Sequence, residues 1–527
     1  MKRIDAPTLR AWITDGHELA LLDAREEGEF GTGHLFWAVP CPFSKREIRA
    51  RALLPRKSVR IVSVDDGTGL AERLAAWLEA DGCADVSVLN GGTKAWEQAG
   101  YVLFSGMNVP SKAFGEWVEH HYGTPSLDAR ELKSWLESGR KLAVLDSRTY
   151  EEFVRMSIPR GISVPGGELV YRIGDLVPDP ETLVVVNCAG RTRSILGAES
   201  LRRAGIPNRV VALRNGTMGW ELAGLSRARA RTESFPRGTP KTAAQALERA
   251  RVFAENSGVG VIGALDLARF EEDPDRTLYL LDVRDPGEFR AWHRPGSRNA
   301  PGGQLVQATD QWVGVRNARI ILLDDTGVRA RMAAGWLRQM GHRDVFVVDG
   351  GLEEVRESGT ALAPIPELAA PVRMIEVPGL VGLLDAGQGT VVIDLARSID
   401  YREGHIPGAL WAIRSRMDAL RRELERAQHV ALTSPDGMLA RLAVEEARTL
   451  TRGDVSVLEG GTAAWHAFGR PLIKDRTHPP DAACVDFYLR PYDRNSGVEE
   501  AMRAYLSWEV DLVKEIERDG TVRFGLP

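Results

Sequence analysis

Cysteine is scarce. The 527-residue chain holds only Cys41, Cys83, Cys188 and Cys484. Four cysteines are too few for a disulfide framework, and no pair has the spacing of zinc ligands, so neither disulfides nor a metal site is expected. Long apolar runs are also missing. No window approaches 18 uninterrupted apolar residues, which leaves no candidate membrane span. Met1-Lys2-Arg3-Ile4-Asp5 runs straight into a polar, helix-like segment without the apolar core of a signal peptide. Neither sign of charge dominates: 68 Lys and Arg stand against 73 Asp and Glu, a net charge of -5. Nucleic acid and anionic membrane are therefore not expected as main partners. A reducing cytoplasm fits these features and would keep the thiols free. The remaining composition, 43% hydrophobic and 27% charged, is that of an ordinary globular protein.

What the chain does have is a fourfold repeat. Leu19 to Asp23, Leu142 to Asp146, Leu278 to Asp282 and Val391 to Asp394 are short apolar runs, each ending in aspartate. An acid follows six residues later (Glu29, Glu152, Glu288, Asp400), then an aromatic (Phe30, Phe153, Phe289, Tyr401). Eleven residues after the aspartate stand His34, Ser157, His293 and His405. Each unit continues with a second apolar run, a helix-like stretch and a third apolar run ending at glycine: Gly91-Gly92, Gly216, Gly350-Gly351 and Gly460-Gly461. Trp96, Trp220 and Trp465 follow in three copies, and Val355 takes that place in the other. Agreement at fixed offsets marks a duplicated unit. Apolar strands alternating with helical stretches predict an α/β fold, each unit a small parallel sheet flanked by helices.

Only one copy carries a cysteine where a ligand would bind. Val184 to Asn187 is a β-branched run, followed by Cys188-Ala189-Gly190-Arg191-Thr192-Arg193-Ser194 and a predicted helix from Ile195. In parallel α/β sheets, ligands bind beyond the carboxyl ends of the strands. The helix start favours an anion there, and with two arginines nearby it is expected to lower the thiol pKa from its usual value of about 8.5. The same count from the motif aspartate lands on Asp65 and Asp324, and strand alignment puts Ser434 there in the fourth copy. None of these three offers a thiol.

The motif of aspartate, arginine, acid and aromatic, then Gly404-His405-Ile406-Pro407-Gly408-Ala409, resembles the rhodanese family. The Cys188 loop is similar to a rhodanese active-site loop. The resemblance implies four tandem rhodanese-like domains, 1–106, 124–228, 258–362 and 373–473, with a partly helical C-terminal extension, 474–527. It implies sulfane-sulfur transfer from thiosulfate to cyanide or a thiol through a persulfide on Cys188 in the second domain, with the other three inactive and with no cofactor. Arg191 and Arg193, Arg148, and the loop residues Ala189, Gly190, Thr192 and Ser194 are its expected substrate-binding residues. A sulfur relay to a protein or glutathione acceptor and a non-enzymatic scaffold stand as alternatives. A phosphatase of this fold would need one more residue between cysteine and arginine; here that position is Ser194. In the tail, Met502, Leu506, Val510 and Val513 form a stripe at helical spacing, expected to dock on the repeats.

Overall fold

In this computed structural model, residues 1–349, 356–359, 371–387 and 389–526 are described. Gly350-Gly351, Val355 and most of the joint at 361–371 lie outside them. Each repeat builds the same parallel sheet. In the second its order is Ser126–Leu127, Val210–Leu213, Leu183–Asn187, Leu142–Asp146, Gly161–Ser163, all neighbours parallel. Leu183–Asn187 is buried along its whole length, as a central strand covered on both faces must be. The first repeat's sheet gains a sixth strand from the third repeat: Val315–Arg316 pairs antiparallel with Leu19–Asp23.

That shared edge is one sign of a common core. Leu74, Val186 and Leu322, one from each of the first three repeats, are fully buried in a single apolar cluster. The fourth repeat has its own, around Ile393, Leu432 and Val457. It is tied to the first mainly by charge: Arg414 forks onto Glu47 at 2.7 and 2.9 Å.

Two segments outside the repeats form helices, one of them unexpected from its sequence. The joint 106–126, with Pro110, Gly123 and Pro125, reads as a linker. It contains instead a 14-residue helix, Val109–Tyr122, the linker helix. Pro110 sits in its first turn, where no N–H partner is lost, and Gly123 caps its end in the left-handed conformation. Phe114 anchors it in the common core, edge-on to Trp336 at 5.8 Å. The tail forms the helix Val498–Asp519, the tail helix, which buries Met502, Leu506, Glu509, Leu512 and Ile516. Val510 is exposed. The docked face is therefore rotated from the expected stripe, and it includes a carboxylate.

Candidate active site

Cys188 follows the central strand Leu183–Asn187, and the helix Thr192–Arg203 starts four residues later. Neighbouring backbone pins the loop. Thr217 N–H donates to Cys188 O at 2.8 Å and Met218 N–H to Ala189 O at 3.0 Å. This approach needs a glycine: Gly216 has φ +52°, and a Cβ there would lie 2.3 Å from Cys188 O. Beneath the loop, Asn187 Nδ2 donates to Asp146 Oδ2 at 2.8 Å.

The thiol is 2% exposed and donates to Ser194 Oγ at 3.5 Å. Burial pushes the Cys188 thiol above its ordinary value; Arg193 and Ser194 pull the other way, and Glu509 adds to the rise. The sequence led us to expect a lowered pKa, and desolvation reverses it.

The expected binding residues divide. Ala189 and Arg193 line a cavity of about 120 Å³ beside the cysteine. Arg193 forks onto Glu152 at 2.7 and 2.9 Å. Burial alone would raise the Glu152 carboxyl, yet Arg193 holds it well below the usual range. Ser194 Oγ donates to Arg191 O at 2.7 Å, and Thr192 Oγ1 lies 3.5 Å from Glu509 Oε1. Gly190 is pressed against the tail helix, where a Cβ would stand 3.1 Å from Glu509 Oε2.

Arg191 turns away. Its guanidinium forks onto Glu116 at 2.7 Å twice and also meets Glu119, both on the linker helix. Arg148 does not line the cavity. It is fully buried and forks onto Asp146 at 2.8 and 2.7 Å. The same arginine–aspartate fork recurs at Arg25–Asp23 and Arg284–Asp282, in repeats that have no cysteine at this position. A contact common to the cysteine-bearing and the cysteine-free units belongs to the fold.

Glu152, Arg155, Met156 and Met218 of the second repeat also line the cavity, and much of the remaining wall comes from outside that repeat. The linker helix supplies Lys112, the third repeat Gln307 and Gln311, and the tail Tyr488, Arg490, Tyr492 and Tyr505. Sequence reasoning did not find Lys112, Glu116 or Glu509. The first two lie in an apparent linker, and Glu509 hides on an apolar helix face. The other cysteines are all buried. Burial raises each thiol, Cys41 to about 12.

Comparison with known proteins agrees with this architecture. The rhodanese-like domain matches at residues 5–99, 128–223, 265–358 and 380–468. A crystal structure of thiosulfate sulfurtransferase from Pseudomonas aeruginosa is 45% identical, with a TM-score of 0.94 and 100% of both chains covered. Thiosulfate sulfurtransferase GlpE of Tolumonas auensis is 29% identical over 77 residues, 15% of this chain and 71% of its own length. The uncharacterized protein YqhL of Bacillus subtilis is 34% identical over 80 residues, 15% of this chain, and the match spans 61% of YqhL. With four parallel α/β units, each matched by the same domain, the chain belongs to the rhodanese family.

Proposed function

We propose that the protein is a thiosulfate sulfurtransferase that works through a persulfide on Cys188. The observation that carries this reading is the placement of Cys188. It alone among the four cysteines follows the central strand of a repeat's sheet and precedes a helix start, beside a cavity walled by Arg193. The full-length likeness to the Pseudomonas enzyme supports the same chemistry.

The reaction follows from the surroundings. Cys188 releases its proton to water, and the thiolate attacks the sulfane sulfur of thiosulfate. The new S–S bond forms as the old one breaks, and its electron pair leaves with sulfite. The enzyme keeps a persulfide anion, which the helix start and Arg193 stabilise. Cyanide or a thiol then takes the terminal sulfur and regenerates Cys188. Thiols of small molecules and of proteins share this chemistry as acceptors. Among the described residues no helix is long and apolar enough to cross a membrane, and a reducing cytoplasm would keep the nucleophile free. Ala189 and Arg193 are the loop residues we place against substrate; Gly190, Thr192 and Ser194 shape the loop.

Intact-mass measurement after incubation with thiosulfate tests the reading. The wild type is expected to gain one sulfur, lost again on adding cyanide. Cys188→Ser should show neither the gain nor turnover, whereas Cys41→Ser, Cys83→Ser and Cys484→Ser should retain both. Turnover by Cys188→Ser would overturn the assignment.

A further inference from the structure

Of the three arginines expected at the substrate, two are committed to carboxylates away from the cavity. Arg148 is held by Asp146 and Arg191 by Glu116 and Glu119. Arg193 faces the cavity but shares its charge with Glu152. Within the wall, Arg155 is likewise paired, with Asp493 at 3.0 Å. The second repeat alone therefore leaves little net positive charge for a doubly charged donor.

Two further cations line the same cavity, and neither belongs to a repeat. Lys112 projects from the linker helix with its side chain 6% exposed. Its ammonium lies over the rings of Tyr505 and Trp508 at 4.2 and 4.5 Å and donates to Tyr505 Oη. Its one nearby carboxylate, Glu509, is 3.9 Å away. Arg490 comes from the tail, is exposed, and has no carboxylate within ion-pair distance among the described residues. Both Arg490 and Arg193 act on Lys112: burial first, and then the two arginines, lower its ammonium to about 8 against the opposing pull of Glu509. Three cations that disfavour one another around one cavity form a site that an anion relieves.

We infer that Lys112 and Arg490, converging with Arg193 on the cavity beside Cys188, select the doubly charged sulfur donor. The inference rests on the reading of the cavity as the sulfurtransferase site. Lys112 acts as a desolvated point charge, held by two aromatic faces. Arg490, at the open rim, offers planar paired donors to an oxyanion such as the sulfonate end of thiosulfate. Specificity thus comes from the linker and the tail, while the repeat supplies the nucleophile.

Calorimetric binding of thiosulfate, and separately of singly charged 3-mercaptopyruvate, to the full-length Cys188→Ser protein tests this without turnover. It therefore stands apart from the mass test of persulfide formation. Adding Arg490→Gln is expected to weaken thiosulfate binding about tenfold, the lower end for one charge-assisted contact, and to weaken 3-mercaptopyruvate binding less. Adding Lys112→Gln should do the same, and Lys112→Arg should restore most of the affinity. Arg490 is exposed, so its variant is expected to fold even if burial makes Lys112→Gln unstable. Unchanged thiosulfate affinity in Arg490→Gln, or equal losses for the two donors, would overturn the inference.

Discussion

The second and third repeats place opposite chemistry at one junction of the same fold. In the third, the Asp324 carboxylate bends into its own loop and accepts from Gly327 N–H at 2.6 Å and Arg329 N–H at 2.9 Å. The first repeat repeats the device: Asp65 accepts from Gly67 N–H at 2.8 Å and Ala71 N–H at 3.1 Å. These loops carry their anion as part of the chain. In the second repeat, Cys188 presents an uncharged sulfur to the corresponding helix start. The favourable electrostatics there await a negative charge that forms on the sulfur. On the proposed reading, a helix start that already holds a carboxylate acts as scaffold, and one that holds a thiol is free to stabilise a reaction intermediate. The arginines show the same division. Arg329, in the third loop, bridges Asp325 at 2.6 Å to Glu168 of the second repeat at 2.8 Å, joining repeats.

The comparison breaks most completely if the loops are exchanged. Cys188→Asp is expected to abolish sulfur uptake and cyanide-dependent turnover while leaving the melting temperature at or above that of Cys188→Ser. Asp324→Cys in a Cys188→Ser background should also show no sulfur gain by mass, because Arg329 and its carboxylate partners remain. The same holds for Asp65→Cys, whose loop contains no arginine and keeps Asp66 adjacent.

Next in size is Arg191→Ala. It leaves Glu116, which is fully buried, without its fork, and breaking a buried pair in this way costs about 3–5 kcal/mol. A shifted denaturant midpoint is expected, with the preference between thiosulfate and 3-mercaptopyruvate unchanged. A changed preference would return Arg191 to the substrate. Smaller again is Asp324→Ala. It removes the acceptor of one buried N–H, that of Arg329, and one part-buried N–H, that of Gly327, and an unsatisfied buried group costs about 1–3 kcal/mol. Urea unfolding should show the loss, while sulfur transfer per folded molecule stays constant.

The smallest effect sharpens the account of the thiol. Burial raises its pKa, so the thiolate fraction, and with it the iodoacetamide labelling rate, should climb with a midpoint above the ordinary value of about 8.5. Glu509 disfavours the thiolate, so Glu509→Gln should move that midpoint down. A wild-type midpoint below the ordinary value would mean that Arg193 and Ser194 outweigh desolvation.

The fold was legible because its signal is repeated. Four apolar runs ending in aspartate, in register with later glycines, state a parallel α/β unit more firmly than any single copy could. Cys188 was legible because the other three copies show what the position looks like without it. The partners of the loop arginines were not. Sequence distance hides Glu116, which is 75 residues from Arg191, and local spacing cannot say which way a guanidinium turns. Arg148 looked like a substrate contact until its fork onto Asp146 appeared again at Arg25 and Arg284. The raised thiol pKa was invisible for a related reason. A helix start and two arginines are local, whereas the burial that outweighs them is a matter of tertiary packing, and the loop's neighbour at Gly190 is a tail helix more than 300 residues away.

That distance has a consequence for how the enzyme comes into being. The tail helix begins at Val498, about 310 residues after Cys188 (498 − 188). At roughly 5–20 residues per second, a ribosome needs about 15–60 s to make that stretch. Through this interval a nascent second repeat holds its Cys188 loop without Arg490 and Tyr505 in the neighbouring cavity wall and without Glu509 against Gly190. The cavity therefore takes its final shape only once the tail has been made, and a chain stalled before the tail would carry the Cys188 loop without the Tyr488, Arg490, Tyr492 and Tyr505 side of that cavity.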